Sequence, residues 1–390
     1  MCDITFKRIF HPVGHGAFFT EQFIDPISNI VLYNVVYDCG SVSPQMKERI
    51  YHISDDMFYK NRCIDALFLS HFDDDHVNAI KYLVDRHYLY GTKLFVPLLK
   101  EESIVGVFPY YSNYHYISNL NGNNRIKVIK VDFDSEKEDG AEQPPILIEE
   151  LKDNYIGSGT KLSSNHVDCL WYYIPFNIVN DNEVFETLMK KLDDADLDYS
   201  KLTDKEDVSN NLKKIRKVYQ TIGKKPANGT KINFNSLQLL SYPAKTDTCK
   251  EYSRHSTNQY YFEDYYRWNK GYVKYKFHHE GLYPGSCLYT GDTSANIEDV
   301  WKKIILIIDK YLKRKLVLFQ IPHHGSINSN DFKSLADKKI YATFANYGDF
   351  KGKCIFNPIL AYQFEMIQKP LIHVTDDWKS SFEEQWILSK

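Results

Sequence analysis

The sequence predicts an α/β fold, in which a mixed β-sheet carries helices on its faces. Over residues 4–97 the order of predicted elements is strands, helix, strand, helix, strand, and regular alternation returns after residue 286. Such an order is typical of layered α/β domains. Potential metal ligands follow three of the predicted strands, and loops at one edge of a layered sheet converge. We therefore expect a single functional site at that edge.

Each element is predicted from its own hydrophobic pattern. Apolar runs bounded by turn residues indicate strands at 4–10, 17–19, 30–37, 66–70, 93–97, 126–131, 170–175, 236–241, 286–290, 316–321 and 340–345. Helices are predicted at 44–55, 76–88, 296–313 and 358–368. In the second of these, Val77, Ile80, Leu83 and Val84 have the spacing of one amphipathic helix face. A glycine turn at 38–41 ends the third strand.

Two stretches depart from this alternation. Residues 100–230 have a looser pattern, and their basic run at 213–217 is either a solvated helix face or a phosphate-contacting surface, with the solvated face favoured. Residues 245–285 mix ten aromatic side chains with basic ones: Tyr252, Tyr260, Tyr261, Phe262, Tyr265, Tyr266, Trp268, Tyr272, Tyr275, Phe277, Arg254, Arg267, Lys270, Lys274 and Lys276. This mixture suits stacking on unpaired bases, or burial against the host domain or a partner protein. The 30 tyrosines of the whole chain favour the second interpretation.

Composition excludes several classes of protein. At 390 residues the chain is long enough for one large domain with insertions, or for two domains. A formal net charge of -3 gives no global attraction to nucleic acid or acidic membranes. The seven scattered cysteines include no C-x-x-C pair, which argues against a disulfide framework and favours a reducing cytoplasm. We find no signal pattern and no apolar run of about 18 residues, so no membrane association is expected.

The densest group of ionisable side chains follows the predicted strand at 66–70. It reads His71-Phe72-Asp73-Asp74-Asp75-His76 and lies at a strand-to-helix turn. Two imidazoles and up to three carboxylates in one loop that excludes water would repel one another or remain unpaired. We therefore expect one or two divalent cations among them. The alternative is an acidic helix N-terminus with incidental histidines.

Two later strand ends strengthen the metal interpretation. Asp292 follows the strand at 286–290, and His323 and His324 follow the strand at 316–321. Each taken alone is an ordinary turn residue. Three strand ends that carry potential ligands in one α/β domain indicate one shared metal site.

The ordered motifs resemble a known family. The segment at 71–76 resembles the H-x-[HD]-x-D-H signature of the metallo-β-lactamase fold, residues 37–40 its first motif, and residues 290–293 its aspartate motif. More narrowly, the segments at 13–16, 70–76, 233–240, 289–293 and 321–326 are similar, in order, to the metallo-hydrolase domain of the ComEC competence proteins and their free-standing relatives. The resemblance covers roughly residues 1–98 and 230–378. It implies a four-layer αββα sandwich over residues 1–390, with an irregular or helical insertion at 100–230 and an aromatic-rich insertion at 245–285.

The resemblance also implies a site. His71 and Asp73 would bind one metal ion, Asp75 and His76 a second, and Asp292 would bridge both. His323 would complete the ligand shell, and Asp75 and His324 would be catalytic. Substrate contacts are expected from His15, Asn233, His324 and Ser326. The chain departs from the family pattern at His15, Ala17, Asn233 and Asn357, where the last replaces a late histidine.

Three functions remain open at this point. Two divalent ions about 3.5–4 Å apart suit displacement at phosphorus, which predicts a metal-dependent phosphodiesterase, most consistent with a nuclease acting on DNA or RNA. The alternatives are a hydrolase of a small ester, lactone or amide, and a catalytically lapsed scaffold that docks partners through the aromatic insertion. The carboxylate-rich ligand set makes Mn²⁺ as plausible as Zn²⁺. A protein partner in a bacterial multi-component system is a further expectation from the free-standing relatives.

Overall fold

The computed structural model describes residues 3–59, 63–99, 111–121, 125–132, 143–179, 190–197, 211, 214–215, 217–218, 235–245, 249–253, 282–326, 329–350, 353–354, 356–367 and 369–389. Most of the aromatic-rich stretch at 245–285 and much of the charged section at 182–222 lie outside these residues. No helix in the described part of the chain is long and apolar enough to cross a membrane.

The described strands are, in chain order, β1 (Ile4–Phe10), β2 (Gly16–Ile24), β3 (Val31–Ser41), β4 (Ala66–Phe68), β5 (Lys93–Pro97), β6 (Lys127–Val131), β7 (Ile146–Leu147), β8 (Tyr155–Ile156), β9 (Leu162–Ser163), β10 (Trp171–Val179), β11 (Asn235–Pro243), β12 (Cys249–Ser253), β13 (Leu282–Tyr289), β14 (Lys315–Gln320), β15 (Ile340–Asn346), β16 (Asp349–Phe350), β17 (Lys353–Cys354), β18 (Leu371–Val374) and β19 (Phe382–Leu388). The helices are α1 (Pro44–Phe58), α2 (Asp74–Val77), α3 (Ile80–Asp85), α4 (Tyr111–Ser118), α5 (Glu298–Leu312), α6 (Phe332–Leu335) and α7 (Pro358–Met366).

These strands form two large mixed sheets and one small hairpin. The first sheet has the order β12-β19-β1-β2-β3-β4-β5-β6-β8, and the second has the order β18-β15-β14-β13-β11-β10-β9-β7. In the first, β3 to β6 run parallel; in the second, β13, β14, β15 and β18 do. The carboxyl ends of β4, β13 and β14 carry the loops with the predicted ligands.

Three hydrophobic cores separate four layers. The core between the sheets includes Phe68 of β4 and Phe344 of β15. A second core packs α1 and α3 on the outer face of the first sheet, where Leu67 points away from its neighbour Phe68. A third packs α5 and α7 on the outer face of the second sheet through residues such as Ile304 and Phe364. The order helix, sheet, sheet, helix is the αββα sandwich, which confirms the predicted fold class.

The elements differ from the sequence prediction in three places. The helix predicted at 76–88 is two short helices, α2 and α3, because the turn between them docks on β3 through a hydrogen bond from Ala79 N to Cys39 O of 3.1 Å. The hydrophobic pattern did not single out β19, which lies between β1 and β12. In the stretch at 100–230, β6 and β10 confirm the strands predicted at 126–131 and 170–175, whereas the pattern did not single out the short strands β7, β8 and β9.

A buried charged network joins the two sheets. Arg8 of β1 is fully buried and forms ion pairs with Glu21 of β2, at 2.7 Å, and with Glu384 of β19. Its guanidinium also donates across the interface to Gly285 O at 2.9 Å and to Ser241 Oγ at 3.1 Å. The hydroxyls of Tyr173 and Tyr289 donate to Glu21 at 2.8 Å from the second sheet. Since two carboxylates share one guanidinium in a dry core, this network is sensitive to loss of the cation.

We predict that Arg8→Met lowers the free energy of unfolding by about 3–5 kcal/mol, because it leaves two buried carboxylates without their cation. Lys7→Met is the matched control, since Lys7 pairs with Glu383 at 3.0 Å on the partly exposed side of the same strands. That change is expected to cost less than about 1 kcal/mol. Chemical denaturation of both variants measures the difference, and equal losses would contradict the role given to Arg8.

Candidate metal centre

The site lies where loops from both sheets meet. The first sheet contributes His15, just before β2, and the segment 71–76 after β4. The second sheet contributes Asp292 after β13, and His323 and His324 after β14. All the histidines and aspartates of the two triads described below are buried. The loops predicted to converge therefore do so.

A β-bulge in β3 places Asp38 at the base of the site. Phe18 of β2 pairs with Cys39 and Phe19 pairs with Tyr37, so Asp38 is the extra residue between them. Its φ of 55° lies in the left-handed region, which aspartate tolerates better than most residues. A bulge redirects a side chain at a strand end. Here it turns the Asp38 carboxylate toward the loop that follows β4.

Asp38 organises that loop through three hydrogen bonds. Ser70 donates its backbone N–H to Asp38 Oδ1 and its hydroxyl to Asp38 Oδ2, each at 2.7 Å. His76 donates Nδ1–H to Asp38 Oδ2 at 2.8 Å. Because the single hydroxyl proton of Ser70 points to Asp38, Ser70 Oγ accepts from His71 Nδ1–H, at 2.8 Å. Neutral His71 and His76 then carry no proton on Nε2, which is left as an acceptor.

Those two Nε2 atoms face a third side chain. His76 Nε2 lies 3.2 Å from Asp292 Oδ1, and His71 Nε2 lies 3.7 Å from Asp292 Oδ2. The ligand atoms of His71, His76 and Asp292 all lie within 4.8 Å of one another. We call these three residues the first triad.

A second triad lies beside it. Asp75 Oδ2 is 3.1 Å from His15 Nε2 and 3.2 Å from His324 Nε2, and the ligand atoms of these three residues also lie within 4.8 Å of one another. His324 Nδ1–H donates to the backbone carbonyl of Asn346 at 2.9 Å, which again leaves an Nε2 acceptor facing a carboxylate. The triads adjoin, since Asp75 Oδ2 is 3.9 Å from His76 Nε2 and His324 Nε2 is 3.8 Å from Asp292 Oδ1.

The residues present fit divalent cations. Neutral imidazole nitrogens and carboxylate oxygens are both acceptors, so their close approach in a buried pocket requires a proton or a cation between them. Hydrogen bonds from the far nitrogen of each imidazole to carboxylate, hydroxyl or carbonyl oxygens are the supports that metal-binding histidines use. Two imidazoles and one carboxylate per triad is a known zinc ligand set.

The electrostatics agree with this interpretation. Burial, reinforced by neighbouring His76, lowers the pKa of His71 to about 3, so this imidazole stays neutral. Burial also disfavours the charged form of His76, but the carboxylates of Asp292, Asp38 and Asp75 together raise its pKa well above the ordinary value. Burial tends to raise the pKa of Asp292, yet His323, His76 and His71 hold it well below its usual range. The pocket thus holds the Asp292 carboxylate ionised next to the neutral imidazole of His71, which are the protonation states that metal ligands require.

Two glycines allow the loops to approach. A Cβ on Gly40 would lie 2.7 Å from backbone atoms of Asp74, Asp75 and His76, so no larger residue fits under α2. Gly291 has a φ of +55°, and a Cβ there would lie 2.5 Å from Ser70 Cβ. The absence of side chains at these positions brings Asp292 against the Ser70–His71 turn.

The remaining predicted residues take different places. Asp73 precedes α2 without a side-chain capping bond, and its Oδ2 lies 3.9 Å from His71 Nε2. His323 lies at the rim, with Nε2 3.7 Å from Asp292 Oδ2 and Nδ1 bonded to Ser329 Oγ at 2.7 Å. Ser326 is buried on the same turn and bridges to Phe356. Asn233 lies outside the described residues.

The structure also groups the ligands differently from the sequence prediction. Asp75 lies with His15 and His324, whereas His76 lies with His71 and Asp292. Asn357, at the place of the late histidine, caps α7 by accepting from Ile359 N at 3.1 Å.

Sequence reasoning gave no role to Asp38 or Asn346. The signal for Asp38 is an aspartate before the Cys39-Gly40 turn, where a left-handed conformation is tolerated. Asn346 gives no local signal, because it acts through its backbone carbonyl on His324 and through its side-chain amide on Gly16 O.

Comparisons with known proteins are limited to structure. No protein-family model matches the chain, and no curated protein matches its sequence. Among solved structures it is similar to the metallo-β-lactamase fold protein YhfI from Bacillus subtilis, at 11% identity over 45% of this chain and 55% of that one, with a TM-score of 0.25. The match therefore spans about half of the Bacillus protein.

Two further solved structures are similar over most of this chain. Human tRNase Z, short form, has 9% identity over 94% of this chain and 91% of that one, with a TM-score of 0.36. A long form RNase Z from yeast has 6% identity over 88% of this chain and 36% of that one, with a TM-score of 0.35. The assignment of the fold given above is based on the sheet order and the three cores.

We predict that Asp38→Asn weakens divalent metal binding about 10- to 100-fold, because the amide has one acceptor oxygen and its NH₂ group would face a donor of Ser70 or His76. The affinity is measured by zinc titration against a chromophoric chelator. Asp65→Asn is the control, since Asp65 Oδ2 accepts from Asn34 N at 2.7 Å at the opposite end of β4. Unchanged affinity in Asp38→Asn would show that Asp38 does not orient the imidazoles.

Proposed function

We propose that this protein is a metal-dependent phosphodiesterase that cleaves nucleic acid through two adjacent divalent ions. The observation that carries the proposal is the pair of neighbouring triads, each with two imidazoles and one carboxylate, set at the common edge of two sheets. A single structural metal ion would not require a second set of ligands beside the first. Two adjacent positions suit in-line displacement at phosphorus.

The metals would be held by this chain's own residues. In the proposal, His71, His76 and Asp292 hold one ion, and Asp75 and His324 hold the other, with Asp73 and His323 close enough to complete a shell. Divalent ions, when bound, supply a water of lowered pKa and neutralise charge on the phosphoryl oxygens. Asp38 and Ser70 fix the imidazoles, so that the ligand atoms need no rearrangement.

Asp75 and His324 are the proposed catalytic residues. Their side chains are in contact at 3.2 Å, and His324 is oriented by the carbonyl of Asn346. Burial opposes ionisation of Asp75, but His76, His15 and His324 keep its pKa well below the ordinary value. A carboxylate held ionised in this way can bind an ion and can orient the attacking water by accepting its hydrogen bond. His323 has 13% of its side chain exposed at the rim, and in the proposal it contacts the leaving group.

Nucleic acid is the proposed substrate on the strength of the resemblance to the ComEC metallo-hydrolase domain. The aromatic and basic composition of residues 245–285 is compatible with the same proposal, since aromatic side chains can stack on bases and cations can hold the backbone. Cys39, Cys63, Cys169 and Cys287 are free thiols; a reducing compartment keeps thiols in this form, so a cytoplasmic location is part of the proposal.

The test measures metal content and nucleic-acid cleavage side by side. Parent protein, His71→Ala and Asp75→Ala are loaded with Zn²⁺ or Mn²⁺, assayed for bound metal, and incubated with single- and double-stranded DNA and RNA. We expect cleavage by the parent, and a loss of at least about 100-fold in each variant because each removes a ligand from a different triad. Asp74→Asn is the control, since Asp74 is exposed and bonds to Asn113.

Three results would overturn the proposal in different ways. Cleavage that survives both alanine variants would mean that the assigned residues are wrong. A metal-loaded parent that hydrolyses small esters or lactones but no nucleic acid would identify a different hydrolase. Less than one metal per chain after metal-replete purification would identify a binding or scaffold protein.

A further inference from the structure

His15 lies in contact with ligands of the second ion, although it belongs to a different element from the main ligand loop. Its Nε2 is 3.1 Å from Asp75 Oδ2, as close as that of His324 on the other side. The two imidazole rings have centroids 4.3 Å apart. His15 is 5% exposed, so its side chain is buried and does not lie at the rim, where a substrate-contacting residue is expected.

The loop that carries His15 is fixed on both sides. The backbone carbonyl of His15 accepts from Val42 N at 3.0 Å, and the Ser41 hydroxyl donates to Val13 O of the same loop at 2.8 Å. Arg49 of α1 donates to Pro12 O at 2.7 Å and to Asp376 O at 2.5 Å, which holds the start of the loop. Pre-positioning of this kind lowers the cost of binding an ion.

His15 and His324 share a common support. Asn346 donates its side-chain amide to Gly16 O, next to His15, and its backbone carbonyl accepts from His324 Nδ1. One residue at the end of β15 therefore sets the separation of the two imidazoles that flank Asp75. A substrate-contacting residue has no need of this coupling, but a pair of ligands on one ion does.

We propose that His15 is a metal ligand, which together with Asp75 and His324 holds the second ion and makes that position selective for zinc over manganese. This inference rests on the proposed metal centre. With His15 included, each position has two imidazole nitrogens and one carboxylate oxygen. Imidazole suits zinc, whereas manganese favours oxygen-only shells. The sequence predicts a carboxylate-rich ligand set, for which Mn²⁺ and Zn²⁺ are equally plausible. With His15 as a ligand, the set contains more nitrogen atoms and favours Zn²⁺.

The experiment measures metal directly, without an activity assay. Parent, His15→Gln and His15→Asp are made metal-free, equilibrated with equal Zn²⁺ and Mn²⁺, separated from free metal, and analysed for both elements. His15→Gln can keep the hydrogen bond to Asp75 but is a poor zinc ligand, and His15→Asp replaces nitrogen by oxygen. His11→Gln is the control, because His11 is a buried imidazole of the same loop that bonds to Thr20 Oγ1 at 2.9 Å, outside the triads.

We expect two zinc ions per chain in the parent and in His11→Gln, and one tightly held zinc in His15→Gln. His15→Asp is expected to hold two ions, with the ratio of zinc to manganese at the second position lowered at least tenfold. The visible spectrum of the Co²⁺-substituted protein gives a second readout, since loss of one nitrogen ligand weakens the absorption of one of two ions. Circular dichroism checks that each variant is folded.

The outcomes separate the inference from the proposed function. If the parent and His15→Gln both hold two zinc ions with equal affinity, or both hold one, His15 is not a ligand while the metal centre stands. If His15→Asp keeps the zinc preference of the parent, His15 does not set selectivity. A metal-free parent would overturn the proposed function and this inference together.

Discussion

The buried carboxylate of Asp38 is the constraint on which the site depends. One bulged residue receives the backbone and hydroxyl of Ser70 and the imidazole of His76, and through Ser70 it also orients His71. A buried anion is stable only when its lone pairs are satisfied by donors. Of these donors, His76 faces Asp292 with its far nitrogen, and Ser70 accepts from His71, whose far nitrogen also faces Asp292. The hydrogen bonds that stabilise the buried Asp38 carboxylate therefore also fix the geometry of the first triad.

The Arg8 network plays a corresponding part between the sheets. Apolar side chains alone would set only an approximate sheet separation, since hydrophobic packing has little directionality. The guanidinium of Arg8 instead has fixed donor directions, toward Glu21 and Glu384 on its own sheet and toward Gly285 and Ser241 on the other. Directional bonds across the interface fix how β1 and β13 lie against each other. Those strands lead into the loops of His15 and Asp292, so the network also fixes the distance that the ligands must span.

Most of the sheet strands and both long helices could be predicted, because their apolar residues follow the periods of strand and helix and their ends carry turn residues. The convergence of the segment at 71–76 with Asp292 and His324 could be predicted from topology. The division of one predicted helix into α2 and α3 could not, because a tertiary bond from Ala79 to Cys39 decides it. The place of His15 beside Asp75 depends in the same way on contacts between distant segments, through Asn346 and Arg49, which leave no local pattern. The grouping of ligands into triads therefore had to come from the structure.

The triads draw their ligand atoms from both halves of the sandwich: His15, His71, Asp75 and His76 from the first sheet, Asp292 and His324 from the second. An ion bound there connects the two sheets, and its binding free energy adds to the free energy of folding. Metal scarcity would therefore shorten the lifetime of the folded chain as well as stop the proposed reaction, because the strand ends at this edge would open to proteases more often.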